Sequence, residues 1–108
     1  MVGETVASAI AHDDAQLWHP DFDRAASFVM SPPIRTAEHR AAIKAALAGG
    51  VLSAVGTDHC AFNSTQKRAG MGDFRLIPNG VNGIEERMHV AWEELVASGL
   101  LSPSDYVR

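Results

Sequence analysis

Val51-Leu52-Ser53-Ala54-Val55-Gly56-Thr57-Asp58-His59-Cys60 is a short apolar run that ends abruptly in acid, imidazole and thiol. Gly49-Gly50 launch it and Gly56 closes it, and Val51, Leu52, Ala54 and Val55 make it continuously hydrophobic over a strand's length. A run of this kind predicts an interior parallel strand buried on both faces. In α/β barrels and open α/β sheets, chemistry sits at the C-terminal ends of such strands. Thr57, Asp58, His59 and Cys60 therefore stand where a catalytic or metal-binding group is expected, with Asp58 foremost.

The chain has 108 residues, 46% apolar and 20% charged, which is room for one small core. A formal charge of -4 and nine scattered basic residues give no positive stripe for a phosphate backbone. Aromatics, at 6%, are too few for a base-stacking platform, so nucleic acid is not an expected partner. The single cysteine excludes an intrachain disulfide framework and a cysteine-rich zinc site, and it fits a reducing compartment. No apolar run approaches membrane-spanning length, and the N-terminus has no basic region followed by a hydrophobic one. The expectation is a cytoplasmic protein that does not engage a membrane.

Working outward, residues 1 to 20 predict at most a short helix and a loop ending at Pro20. Asp21 caps a helical turn through Phe28, after which Pro32 and Pro33 hold residues 29 to 35 extended and present Ser31 on rigid backbone. Thr36 is placed to cap an alanine-rich helix over 37–48, ended by Gly49-Gly50. Beyond Cys60 lies a loop of about twenty residues, long enough to suggest a binding loop, with a helical turn at Ser64 to Arg68 and a turn at Ile77-Pro78-Asn79-Gly80. The last clear helix is expected from Ile84 to Ala97, with Ile84, Met88, Ala91, Trp92 and Leu95 on its core face. Ser102-Pro103 then cap and start a helix that the chain is expected to end before completing.

This order follows the rhythm of βα units, but only about two strands are visible and no internal repeat supplies more. Closing an α/β barrel takes about 200 residues or more. The residues thus predict a piece of a larger α/β fold, or a subunit that borrows strands.

Three runs resemble consecutive motifs of the dihydropyrimidinases and hydantoinases. They are Phe28-Val29-Met30-Ser31-Pro32-Pro33-Ile34-Arg35, Thr57-Asp58-His59-Cys60-Ala61-Phe62, and Asp73 through Glu85, which contains Ile77-Pro78-Asn79-Gly80-Val81-Asn82-Gly83. Lys67 and Gly70 fall where that family carries a Gln-Lys stretch. The resemblance covers nearly the whole chain but only the late part of the family's catalytic barrel. It implies a partial TIM-type (β/α)₈ amidohydrolase barrel, roughly its last two βα units, with residues 1–108 as the C-terminal portion of the barrel domain. It also implies hydrolytic opening of a cyclic amide such as 5,6-dihydrouracil or a hydantoin, two divalent metals, usually zinc, and a homotetramer for the full-length form.

By the same resemblance Asp58 is a metal ligand that takes a proton from activated water, and Ser31 and Asn79 hold the ring's amide edge through main-chain groups. The chemistry is coherent, since a divalent ion lowers the pKa of bound water to about 7 and a neighbouring carboxylate can shuttle the proton. The family's other ligands, four histidines and a carboxylated lysine, come from earlier in its barrel. None of His12, His19, His39, His59 or His89 stands where the family has a histidine ligand, so the isolated chain is expected neither to hold the binuclear centre nor to catalyse. His59 reads as a structural hydrogen-bonding residue, Cys60 as a small buried hydrophobe, and His12-Asp13-Asp14 with His19 as a solvated loop. The alternative is a non-catalytic dihydropyrimidinase-like structural protein. Such relatives generally lack an acid at the position of Asp58, and this chain keeps one.

Overall fold

The computed structural model describes residues 2–108. Its sheet has two short parallel strands, β1 (Glu4–Val6) and β2 (Ala54–Gly56), in the register Glu4 to Ala54, Thr5 to Val55 and Val6 to Gly56. Parallel neighbours require a long crossover, and here it carries α1 (Ala7–Ala11), α2 (Phe22–Ser27) and α3 (Ala37–Ala48). After β2 come α4 (Ser64–Lys67), two 3₁₀ turns (Arg68–Gly70 and Phe74–Leu76), α5 (Arg87–Ala91) and α6 (Pro103–Tyr106). The helix begun by α5 continues from Trp92 to Ala97 with the wider π winding.

Local chemistry explains most of these boundaries. The Asp21 side chain accepts from Arg24 N–H at 3.2 Å and starts α2. Asn63 and Gln66 form a reciprocal capping box on α4, and Ser102 accepts from Asp105 N–H ahead of Pro103. Helix α3 has the predicted bounds, and Gly50 takes φ 73° after it, the left-handed conformation that glycine adopts without steric cost. Thr36 stands at the N-cap of α3, but its hydroxyl faces His39 Nδ1 at 2.9 Å and no backbone N–H.

Two apolar clusters hold these pieces. Ile10, Leu47, Ala91 and Leu95 pack where α1, α3 and the last long helix meet over Val55, and Met30, Ile34 and Val81 pack beside Val6 and Phe28. Burying the Ile10 side chain alone is worth about 1.5–3 kcal/mol.

Several expectations need correction. The N-terminal segment predicted as at most a short helix opens with β1, whose three residues are too few to show strand periodicity. Strand β2 is half-exposed, not doubly buried, and Val51 is 75% exposed, because no strand pairs beyond it and no layer covers its second face. The last long helix begins at Arg87 and not at Ile84, and Ile84, Met88 and Trp92 are 68%, 54% and 43% exposed, so its core face narrows to Ala91 and Leu95. Trp92 meets the Tyr106 ring edge-on at 5.3 Å. The structure thus contains two parallel strands with helices on one side, and it does not itself display a barrel.

The Cα radius of gyration is 14.8 Å, against about 13 Å expected for a compact domain of this length. A hollow of about 700 Å³, lined by Leu47, Leu52, Leu95 and Leu101 but also by Arg87, Asp105 and Arg108, lies open beside the sheet. The core is correspondingly thin. Ile10→Ala should cost about 2–5 kcal/mol and lower the urea midpoint, whereas Trp18→Ala, at a side chain 82% exposed, should leave it nearly unchanged. Equal midpoints for the two variants would show that Ile10 is not a core residue.

Candidate functional site

Strand β2 ends at Gly56, and the chain turns at once. Asp58 takes φ 47°, the only non-glycine residue with positive φ among those described, a conformation that aspartate tolerates better than most residues. Thr57 Oγ1 accepts from His59 N–H at 3.2 Å across this turn. Asp58 emerges exposed, at the edge of a cavity of about 320 Å³ whose lining includes Val6, Met30, Pro32, Pro33 and Ile34. Its carboxylate has no hydrogen bond or ion pair among the described residues.

The three sequence runs converge around this turn. Cys60 N–H donates to the Val81 carbonyl at 3.0 Å, and His59 and Val81 form an isolated parallel bridge. His59 Nδ1 accepts from the Gly83 and Ile84 N–H groups at 3.1 and 3.3 Å, which leaves the ring proton on Nε2. Gly80 N–H donates to the Val29 carbonyl at 2.9 Å. A side chain at position 80 would not fit, because a Cβ there would lie 2.1 Å from the Cys60 carbonyl oxygen.

Ser31 and Asn79, 48 residues apart, are brought into contact: the Ser31 hydroxyl donates to Asn79 Oδ1 at 3.2 Å. Asn79 Nδ2 in turn reaches the Ile77 carbonyl at 3.3 Å. Both residues are exposed, and among the described residues no hydrogen bond uses the main-chain N–H or C=O of either. The side chains of the pair thus meet while the main-chain groups of both residues have no hydrogen-bond partner among the described residues.

Lys67 is the residue whose importance the sequence reading missed. It is 3% exposed, and Nζ donates to the carbonyls of Val29 at 2.8 Å, Pro78 at 2.7 Å and Gly80 at 2.9 Å. The Phe62 ring lies 5.6 Å away. Burial pushes its ammonium below the ordinary lysine pKa, with Cys60 opposing the shift. The sequence offered a helix-terminal lysine, which ordinarily faces solvent, and its place in the Gln-Lys stretch gave it no role.

On the cavity's other side, Arg40 pairs with Asp13 at 3.2 Å and donates to the Ala11 carbonyl at 3.3 Å. Partial burial, and then the Arg40 guanidinium, lower the pKa of His12, which favours its neutral form. Asp13 also accepts from Ala15 N–H at 3.2 Å, so the acidic loop is tied down by a turn and an ion pair. The expectation for Cys60 is corrected: it is exposed, since no described side chain folds over it in the turn after β2. The donor set does not fit a binuclear metal centre. Among the described residues no three His, Cys, Asp or Glu side chains converge, and Asp58 contributes one carboxylate alone. No described helix is long and apolar enough to cross a membrane.

No family model matches the chain. It is 58% identical over 108 residues to a dihydropyrimidinase of Arabidopsis thaliana, a match that covers 100% of this chain and 20% of that protein. Among solved structures, a dihydropyrimidinase from Brevibacillus agri superposes with a TM-score of 0.93 at 41% identity, over 98% of this chain and 23% of its own. A D-hydantoinase from a Bacillus species, AR9, gives a TM-score of 0.93 at 40% identity, over the same shares of 98% and 23%. The chain thus spans about a fifth of the length of the curated relative it matches.

The exposed Cys60 thiol should react stoichiometrically with a thiol reagent in the native chain. Labelling that occurs only after denaturant is added would return it to the interior.

Proposed function

Because this chain is homologous along its whole length to dihydropyrimidinases and D-hydantoinases, we propose that it carries the segment of such a cyclic amidohydrolase that grips the ring's amide edge and supplies one catalytic carboxylate. The observation that carries the reading is the Ser31–Asn79 contact at 3.2 Å, with unsatisfied main-chain groups at both residues. A cyclic amide edge offers an N–H beside a C=O, and paired peptide groups complement that pattern through hydrogen bonds fixed by rigid backbone. Pro32 and Pro33 stiffen one side, and Gly80 allows the other to approach closely.

Asp58 is the carboxylate of this reading. Water adds to the ring carbonyl, the Asp58 carboxylate takes a proton from that water, and it returns the proton to the ring nitrogen as the C–N bond breaks. The product then carries a new carboxylate and a released amide or ureido nitrogen. The left-handed turn supports this assignment, because it holds the acid clear of internal partners at the cavity edge. The metals that the resemblance implies need donors from outside these 108 residues, since those described do not fit them. The same reading extends to a cytoplasmic, homotetrameric full-length form acting on dihydrouracil or hydantoin. A non-catalytic structural role is disfavoured by the retained acid.

The test is a full-length chimera in which this chain replaces the matching fifth of the Arabidopsis enzyme. It should hydrolyse dihydrouracil or hydantoin, and Asp58→Asn should cut kcat by about 10²- to 10⁴-fold while sparing thermal stability. A chimera that folds and binds metal but has no activity, or an Asp58→Asn form with near-normal rate, would sink the assignment. The 108-residue chain purified by itself should contain no stoichiometric zinc by elemental analysis, and one zinc or more per chain would show that its own residues assemble a site.

A further inference from the structure

We propose that Lys67 is a positioning residue for the ring-binding groups, its ammonium fixing the two segments that carry Ser31 and Asn79 and polarising the peptide group that ends in the Asn79 N–H. The inference rests on the roles proposed above for those two residues.

The geometry uses the whole donor capacity of the side chain. An ammonium has three N–H donors and no acceptor, and here all three go to main-chain carbonyls on two segments: Val29 on the extended run, and Pro78 and Gly80 on the turn. Val29 lies two residues before Ser31, while Pro78 and Gly80 bracket Asn79. The Val29 carbonyl accepts a second bond from Gly80 N–H at 2.9 Å, so the two segments are cross-linked next to the Ser31–Asn79 contact. Sliding either segment past the other would break charge-assisted hydrogen bonds in a buried place, where an unpaired ammonium is costly.

Polarisation follows from connectivity. The Pro78 carbonyl and the Asn79 N–H are the two ends of one peptide group, and a cation on the oxygen draws charge from the nitrogen and strengthens the N–H as a donor. At Val29 the contact positions the proline run without polarising the Ser31 N–H, which belongs to the next peptide group along. A neutral side chain of similar length would fill the space without either effect. The Lys67 charge thus acts on the ring's amide edge through a single intervening peptide group, without touching the ligand.

The test uses the full-length chimera described above. With Lys67→Met, KM for the cyclic amide should rise at least tenfold while kcat stays within threefold and metal content is unchanged, because an edge contact kept from ground state to transition state is uniform binding. Lys67→Gln, which retains N–H donors without charge, should fall between Met and wild type. Either variant folded, metal-loaded and with wild-type KM overturns the proposal. So does failure of both to fold, since a purely structural lysine is then a sufficient account. An unsubstituted chimera that is inactive overturns instead the assignment of Ser31, Asn79 and Asp58, and the inference about Lys67 falls with it.

Discussion

The Lys67 ammonium, buried with its three donors on the carbonyls of Val29, Pro78 and Gly80, is the constraint on which the site depends. Removing an ammonium from water costs several kcal/mol unless its hydrogen bonds are remade. Here they are remade on backbone that has little secondary structure to hold it: residues 29–35 contain two prolines, and residues 77–83 form no helix or strand beyond the Val81 bridge. Segments of this kind ordinarily wander at loop surfaces. A single side chain from the end of α4 fixes both, and the capping box of Asn63 and Gln66 fixes that short helix in turn.

Glycine positions extend the same logic of close approach. Gly80 lies against the Cys60 carbonyl, and Gly70 lies so near Ile77 that a Cβ would fall 2.4 Å from its backbone nitrogen. These contacts press the turn onto the loop that follows β2, so the end of the strand, the proline run and the Asn-Gly turn form one surface. His59 closes it by accepting from Gly83 and Ile84 N–H. Asp58 then projects from a short rigid hairpin of contacts, which is how a lone carboxylate stays oriented without a partner.

The rest of the molecule is less complete. Two three-residue strands leave both outer edges unpaired, and such edges in full-length proteins are covered or continued. The exposure of Val51, Met88 and Trp92 has one cause, an apolar surface wider than these residues can cover. The relatives that superpose on the chain are four to five times as long. The site segment is locally well determined, while the core behind it is thin.

Much of this was legible in the residues because it depends on local rules. Asp21 and Ser102 cap because a short acceptor precedes a helical run, Gly50 ends α3 because only glycine takes that φ freely, and the apolar run of residues 51–55 leads to a strand with Asp58 just past its end. The motif order identified the relatives for the same reason, since the match lies in the sequence itself. What stayed hidden depends on partners distant in the chain. Strand β1 exists only because Glu4, Thr5 and Val6 find Ala54, Val55 and Gly56 across a crossover of more than forty residues. Burial of Val51, Trp92 and Cys60 was misread because apolarity states what a residue prefers, whereas coverage depends on what folds over it. Lys67 was passed over because sequence shows a charge but not the three carbonyls that receive it. The sequence determined the elements, their caps and the residue types at the site; the tertiary structure alone decided which of those residues meet, because burial and hydrogen-bond partnership are properties of pairs.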